Sequence, residues 1–123
     1  MKKSVFYLAL IWGLLTSNAM AEQSDVTAYY FHSNVRCSTC RNIERMTKEA
    51  IATIPNVKFE TVNTDEAENK HFLTDYGLYT KSVVLVAPDG KWKNLDQIWN
   101  FVRSEPEFKN YIITETNNFK EKQ

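Results

Sequence analysis

A seven-residue apolar run, Val26–His32, leads within five positions into Cys37-Ser38-Thr39-Cys40, and an amphipathic stretch follows at once. This succession constrains the fold more than any other feature of the chain. The run is rich in β-branched and aromatic residues and has few polar breaks, the pattern of a central strand covered on both faces. From Cys40 onward, Ile43, Met46, Ala50, Ile51 and Ile54 recur at spacings of three, four and seven, and Arg41, Glu44, Arg45, Lys48 and Glu49 fill the other side. That periodicity predicts a helix with a solvated charged face, stopped by Pro55. The alternation in Val57–Asn63 predicts a second strand. Two strands joined by so long a crossover are parallel neighbours with a right-handed connection.

Beyond the second strand, Asp65 is expected to cap a short helix running to Tyr76, with Ala67, His71, Phe72 and Tyr76 inward and Gly77 as its stop. Residues 82–87 form a continuous apolar run. Pro88-Asp89-Gly90 supplies a turn, and residues 91–95 alternate like the second arm of a hairpin. Asp96 is expected to cap a turn or two of helix that carries Ile98, Trp99 and Val102. Ser104-Glu105-Pro106-Glu107 then combines a serine cap, an early helical proline and a glutamate three residues after the cap. The helix it opens should bury Phe108, Tyr111, Ile112 and Phe119, and the polar tail over residues 117–123 should fray. Trp92, Trp99, Phe108 and Tyr111 read as core or half-buried packing. Strand, helix, strand, helix, strand, strand, helix is an α/β order, that of a single minimal thioredoxin-like α/β/α sandwich around a mixed sheet of about four strands.

The N-terminus reads as a secretory signal. Lys2 and Lys3 precede an apolar run over residues 5–15, and Ala19-Met20-Ala21 offers a cleavage site after Ala21. The run is about half of the ~20 apolar residues that span a bilayer. The expected mature chain is residues 22–123, one periplasmic or secreted domain of 102 residues with no membrane span. A domain of about 100 residues closes a core without disulfide or metal staples, which leaves the cysteines free for chemistry. With thirteen Lys and Arg against fifteen Asp and Glu after residue 21, the balance argues against nucleic acid as a partner.

The chain has two cysteines, and their placement after a strand and at the first turn of a helix points to redox chemistry. The thiolate is the nucleophile, and amides and the positive end of a helix dipole stabilise it. Cys37, at the open tip, should attack, and Cys40, one turn in, should resolve the mixed disulfide. Arg36 and Arg41 add positive charge beside the thiols. An inert bridge is the plainer alternative, weakened because a bridge closing so short a loop constrains the unfolded chain little. A soft-metal or arsenite carrier is the other, with Cu(I) or As(III) held by the two sulfurs and His32 available as a third ligand, although His32 reads first as a strand-end side chain with no ligand role. Structural zinc, which takes about four ligands, has only His32 and His71 to add to the thiols, and His71 reads as an ordinary helix residue. No cofactor is expected.

Tyr29-Tyr30-Phe31-His32, Val35-Arg36-Cys37-Ser38-Thr39-Cys40-Arg41, residues 78–85 (LYTKSVVL) and Trp92-Lys93-Asn94-Leu95 together resemble small exported thioredoxin-like proteins of the ArsF family, nominally nitrophenyl compound nitroreductase subunits. The likeness covers residues 26–113. It implies a thioredoxin fold, an active-site pair at Cys37 and Cys40, an association with arsenic-related functions, and accessory docking to a larger reductase complex. Protein thiols and disulfides and a membrane electron donor or acceptor are the implied partners. Ordinary thioredoxins carry a cis-proline facing the cysteines, a tryptophan before the first cysteine and Gly-Pro between the two. Here Thr80-Lys81-Ser82, Arg36 and Ser38-Thr39 stand there, and the first strand has no acidic residue. Arg36, Arg41, Lys81 and His32 are expected to modulate the pair.

Overall fold

The structure, a computed structural model, describes residues 26–123, so the expected leader over residues 1–21 lies outside the described residues. Four strands, β1 (Val26–His32), β2 (Val57–Asn63), β3 (Ser82–Val86) and β4 (Trp92–Asn94), form one sheet in the order β2-β1-β3-β4. β1 runs parallel to β2 and antiparallel to β3, and β4 returns antiparallel to β3. Among the described residues three α-helices accompany the sheet: α1 (Ser38–Ala52), α2 (His71–Asp75) and α3 (Glu105–Glu121). This is the thioredoxin-like arrangement, with a mixed sheet whose central strand feeds directly into the cysteine-bearing helix.

Alternation along β1 divides the core. Val26, Ala28 and Tyr30, with Val83 and Leu85 beside them, face α1 and α3 and pack on Ile43, Met46, Ala50, Ile51, Phe108 and Ile112. Phe31, Val84 and Leu78 lie on the opposite face against the half-buried rings of Tyr29, Phe72 and Tyr76. The aromatic centroids there are 5.2 Å apart for Phe31 and Phe72 and 5.7 Å for Phe31 and Tyr76. One face thus carries two long helices and the other a thin aromatic layer. Among the described residues no helix is long and apolar enough to cross a membrane.

Several local expectations are corrected. The segment after β2 is a 3-10 turn at Ala67–Asn69 followed by only five α-helical residues. Asp65 does not cap it, because its carboxylate accepts the Asn34 backbone N–H at 2.7 Å. Ala67 and His71 are exposed, which leaves Phe72 and Tyr76 as the only inward residues of those expected. Gly77 does end the segment, at φ 62°, a left-handed value glycine adopts without a Cβ penalty. Asp96 begins a 3-10 turn, Asp96–Asn100, rather than capping one, and Trp99 remains 37% exposed. Helix α1 ends at Ala52 with Thr53 as its C-cap, whose hydroxyl donates to the Ala50 carbonyl at 2.7 Å, just ahead of Pro55 as expected.

The tail does not fray. α3 continues through Glu121 because Phe119 is buried in the main core and Lys120 Nζ donates to the Pro55 carbonyl at 2.6 Å.

α1 and α3 are also joined at the surface. Arg45 bonds Glu105 at 3.0 Å, and Lys109 bonds Glu49 at 2.6 Å and Glu105 at 2.9 Å. Hydrogen bonds from Arg45, then from Lys109, hold Glu105 down at about 2. A depressed carboxylate contributes its stability above the unfolded-state value and loses it as pH falls through the folded one. The thermal midpoint should therefore drop as pH falls from about 4.5 to about 2, and Glu105→Gln should flatten that drop. A melting series in this window checks it, and an equally steep fall in the variant would contradict it.

Candidate active site

β1 ends at His32, residues 33–36 cross the end of the sheet, and Cys37 becomes the N-cap of α1. The site therefore lies beyond the carboxyl end of the central strand, where α/β sheets place their ligands. Cys37 has extended backbone angles, φ −72° and ψ 161°, and its Sγ accepts the Cys40 backbone N–H at 3.1 Å. Its carbonyl accepts the Arg41 N–H at 3.0 Å. A sulfur at this position sits where free amides and the positive end of the helix dipole converge, the arrangement that favours a thiolate.

The two sulfurs are joined in a disulfide with Cα atoms 5.0 Å apart. Cys37 is exposed, whereas Cys40 is 3% exposed. This asymmetry follows from helix geometry: position one is open to an incoming partner, and position four is turned onto the sheet. Below Cys40 lies Tyr30, wholly buried, whose hydroxyl donates to the Cys40 carbonyl at 2.9 Å. Burial and then the charge of Glu44 push the Tyr30 phenol up to about 12, while Arg36 pulls it down. The phenol therefore remains a proton donor to that carbonyl at any physiological pH.

The structure places each expected modulator. Arg36 extends from the loop along α1 to pair with Glu44. Its Nη1 also lies 3.2 Å from Nδ1 and 3.1 Å from Nε2 of His32, and His32 Nδ1 is 2.9 Å from the Ser33 carbonyl. The His32 ring is thus engaged by Arg36 and its own loop. Arg41 is exposed on the first turn of α1 and forms no ion pair among the described residues. Lys81 is half-buried on the loop before β3, and its carbonyl accepts Trp99 Nε1–H at 3.2 Å. Lys81 and His32 also line a crevice of about 250 Å³ with Thr64, Asp65, Leu78 and Tyr79. Among the described residues no three His, Cys, Asp or Glu side chains cluster as a metal-holding group.

Two residues at this site carry no sign of their role in the sequence. Tyr30 reads as one more apolar residue of β1, although its inward register is what puts its hydroxyl under Cys40. Glu44 reads as part of the solvated face, although it lies four residues after Cys40 and seven after Cys37, hence on the same side of the helix.

Solved structures similar to this chain over part of its length include the following two. The X-ray structure of Fasciola hepatica thioredoxin is 24% identical, covering 59% of this chain and 68% of that one with a TM-score of 0.47. A malarial protein is 14% identical, covering 56% and 79% with a TM-score of 0.44. No family model matches the chain. The thioredoxin-like description therefore rests on the strand order and on the cysteine-bearing helix, and the ArsF resemblance on its residues alone.

Proposed function

We propose that this chain is an exported thiol-disulfide oxidoreductase in which Cys37 exchanges with the thiols and disulfides of other proteins and Cys40 resolves the intermediate. The observation that carries the reading is an exposed sulfur at the N-cap of a long helix, disulfide-linked to a buried one a single turn further on. In reduction, the Cys37 thiolate attacks a partner disulfide and forms a mixed disulfide, releasing one partner thiolate. Deprotonated Cys40 then attacks Cys37 Sγ, releases the second partner thiolate and closes the protein disulfide. Two electrons pass to the partner, and the same steps in reverse oxidise a partner dithiol.

The leader expected over residues 1–21 supports the exported location, and a membrane donor or acceptor would return the pair to its working state. The structure supports an accessible redox pair over an inert bridge, because the attacking sulfur faces solvent. The test is reduction of insulin disulfides in the presence of dithiothreitol, using the mature chain. Precipitation faster than with dithiothreitol alone is the expected result. Equal rates would defeat the proposal.

A further inference from the structure

Arg36 immediately precedes Cys37, and a guanidinium beside a thiolate would ordinarily lower the thiol's pKa. In this chain that charge is already taken. Arg36 runs along the face of α1 that carries Cys37, Cys40 and Glu44, ends on the Glu44 carboxylate and has the His32 imidazole at its side. The pair is also more sheltered than the Arg45–Glu49 pair on the same helix. Its side chains are 34% and 24% exposed, against 46% for both Arg45 and Glu49. Solvent screens sheltered charges less. Both charges act on the Tyr30 hydroxyl, in opposite directions, and that hydroxyl touches the Cys40 carbonyl. Their fields therefore reach beneath the first turn of the helix.

We propose that Glu44 is a positioning residue that sets the redox poise of the Cys37–Cys40 pair by holding and neutralising Arg36. This rests on the oxidoreductase reading, yet its readout needs no turnover of a protein partner. With the pair intact, Arg36 and Glu44 together add a net charge near zero beside Cys37, and the helix terminus and Arg41 remain the sources of thiolate stability. Removing the carboxylate leaves Arg36 uncompensated, which stabilises the reduced thiolate form and makes the disulfide more oxidising. Removing the guanidinium leaves Glu44 uncompensated, which has the opposite effect. Arg41 is present in every variant and cancels from the comparison.

The test is equilibration of the disulfide with glutathione for wild type, Glu44→Gln, Arg36→Ala and the double variant. In this exchange two glutathione thiols reduce one protein disulfide and leave one oxidised glutathione. Glu44→Gln should lower the equilibrium constant for the oxidised protein about three- to tenfold, about 15 to 30 mV at 29.6 mV per tenfold change. Arg36→Ala should raise it by a similar factor, and the double variant should return to within about twofold of wild type. The ultraviolet absorbance of the Cys37 thiolate against pH should move correspondingly, down for Glu44→Gln and up for Arg36→Ala. A purely structural ion pair would shift both single variants in the same direction, because each breaks the same contact. Shifts of one sign, or no shift in either single variant, would overturn the proposal, and so would a double variant that fails to return. If insulin reduction fails while these opposed shifts appear, the oxidoreductase reading falls and the charge assignment stands.

Discussion

Cys37→Ser should lose the whole catalysed rate of insulin reduction, a fall on the order of 10²-fold or more to the background of dithiothreitol alone. The reason lies in the geometry of the first turn of α1. Cys37 is the sulfur that both faces solvent and accepts an amide hydrogen bond at a helix N-cap. Serine keeps the cap, since its oxygen accepts the same N–H, so the helix should form and the melting point should change little. Cys40→Ser should behave differently. Its attacking thiol is intact, so it should capture a partner and then stall, because the resolving sulfur is gone. Non-reducing electrophoresis and mass spectrometry should show a covalent adduct that dithiothreitol releases. If the roles of the sulfurs were reversed, the adduct would accumulate with Cys37→Ser. That outcome would refute the assignment.

The second large effect is on stability. Phe108 is wholly buried near the start of α3 and belongs to the cluster that joins the sheet to α1 and α3. Truncation to alanine removes the ring and leaves a cavity that rigid neighbours fill only in part. Such changes cost about 3–5 kcal/mol, a large part of the 5–15 kcal/mol that typically separates folded from unfolded states. At about 4–8 °C per kcal/mol for a domain of this size, the midpoint should fall by tens of degrees. Urea unfolding of Phe108→Ala beside Phe108→Leu checks the argument. Leucine restores most of the volume and should recover more than half of the loss. A loss below about 1 kcal/mol for alanine would mean that α3 is not held through this ring.

Much of this protein was legible before its structure. Element order followed from periodicity, and the bounds of β1 and β2 fall where the apolar patterns do. The position of the cysteines at the start of a helix followed from the strand before them and the amphipathic stretch after them. Legibility failed where a residue's local signal was outbid by a distant partner. Asp65 has the chemistry of a cap, but Asn34, thirty-one positions earlier in the chain, takes its carboxylate. The tail looks polar and frayed, but Phe119 finds the core and Lys120 finds the Pro55 carbonyl. In both cases the deciding contact is long-range, and a window of a dozen residues does not contain it.

The same division runs through the candidate site. Sequence determined that two sulfurs three residues apart would sit on one turn at the open end of a helix, because helical periodicity and the preceding strand are local facts. Tertiary structure decided the environment those sulfurs work in. β1 register, set by pairing with β2 and β3, turns Tyr30 toward α1 and puts its hydroxyl under the Cys40 carbonyl. The path of residues 33–36 over the sheet end lets Arg36 reach along the helix to Glu44 instead of standing free beside Cys37. Covalent position fixes which charges are near a sulfur in the chain, but electrostatic effect depends on separation and screening in space, and these are set only when the loop, helix and sheet pack together.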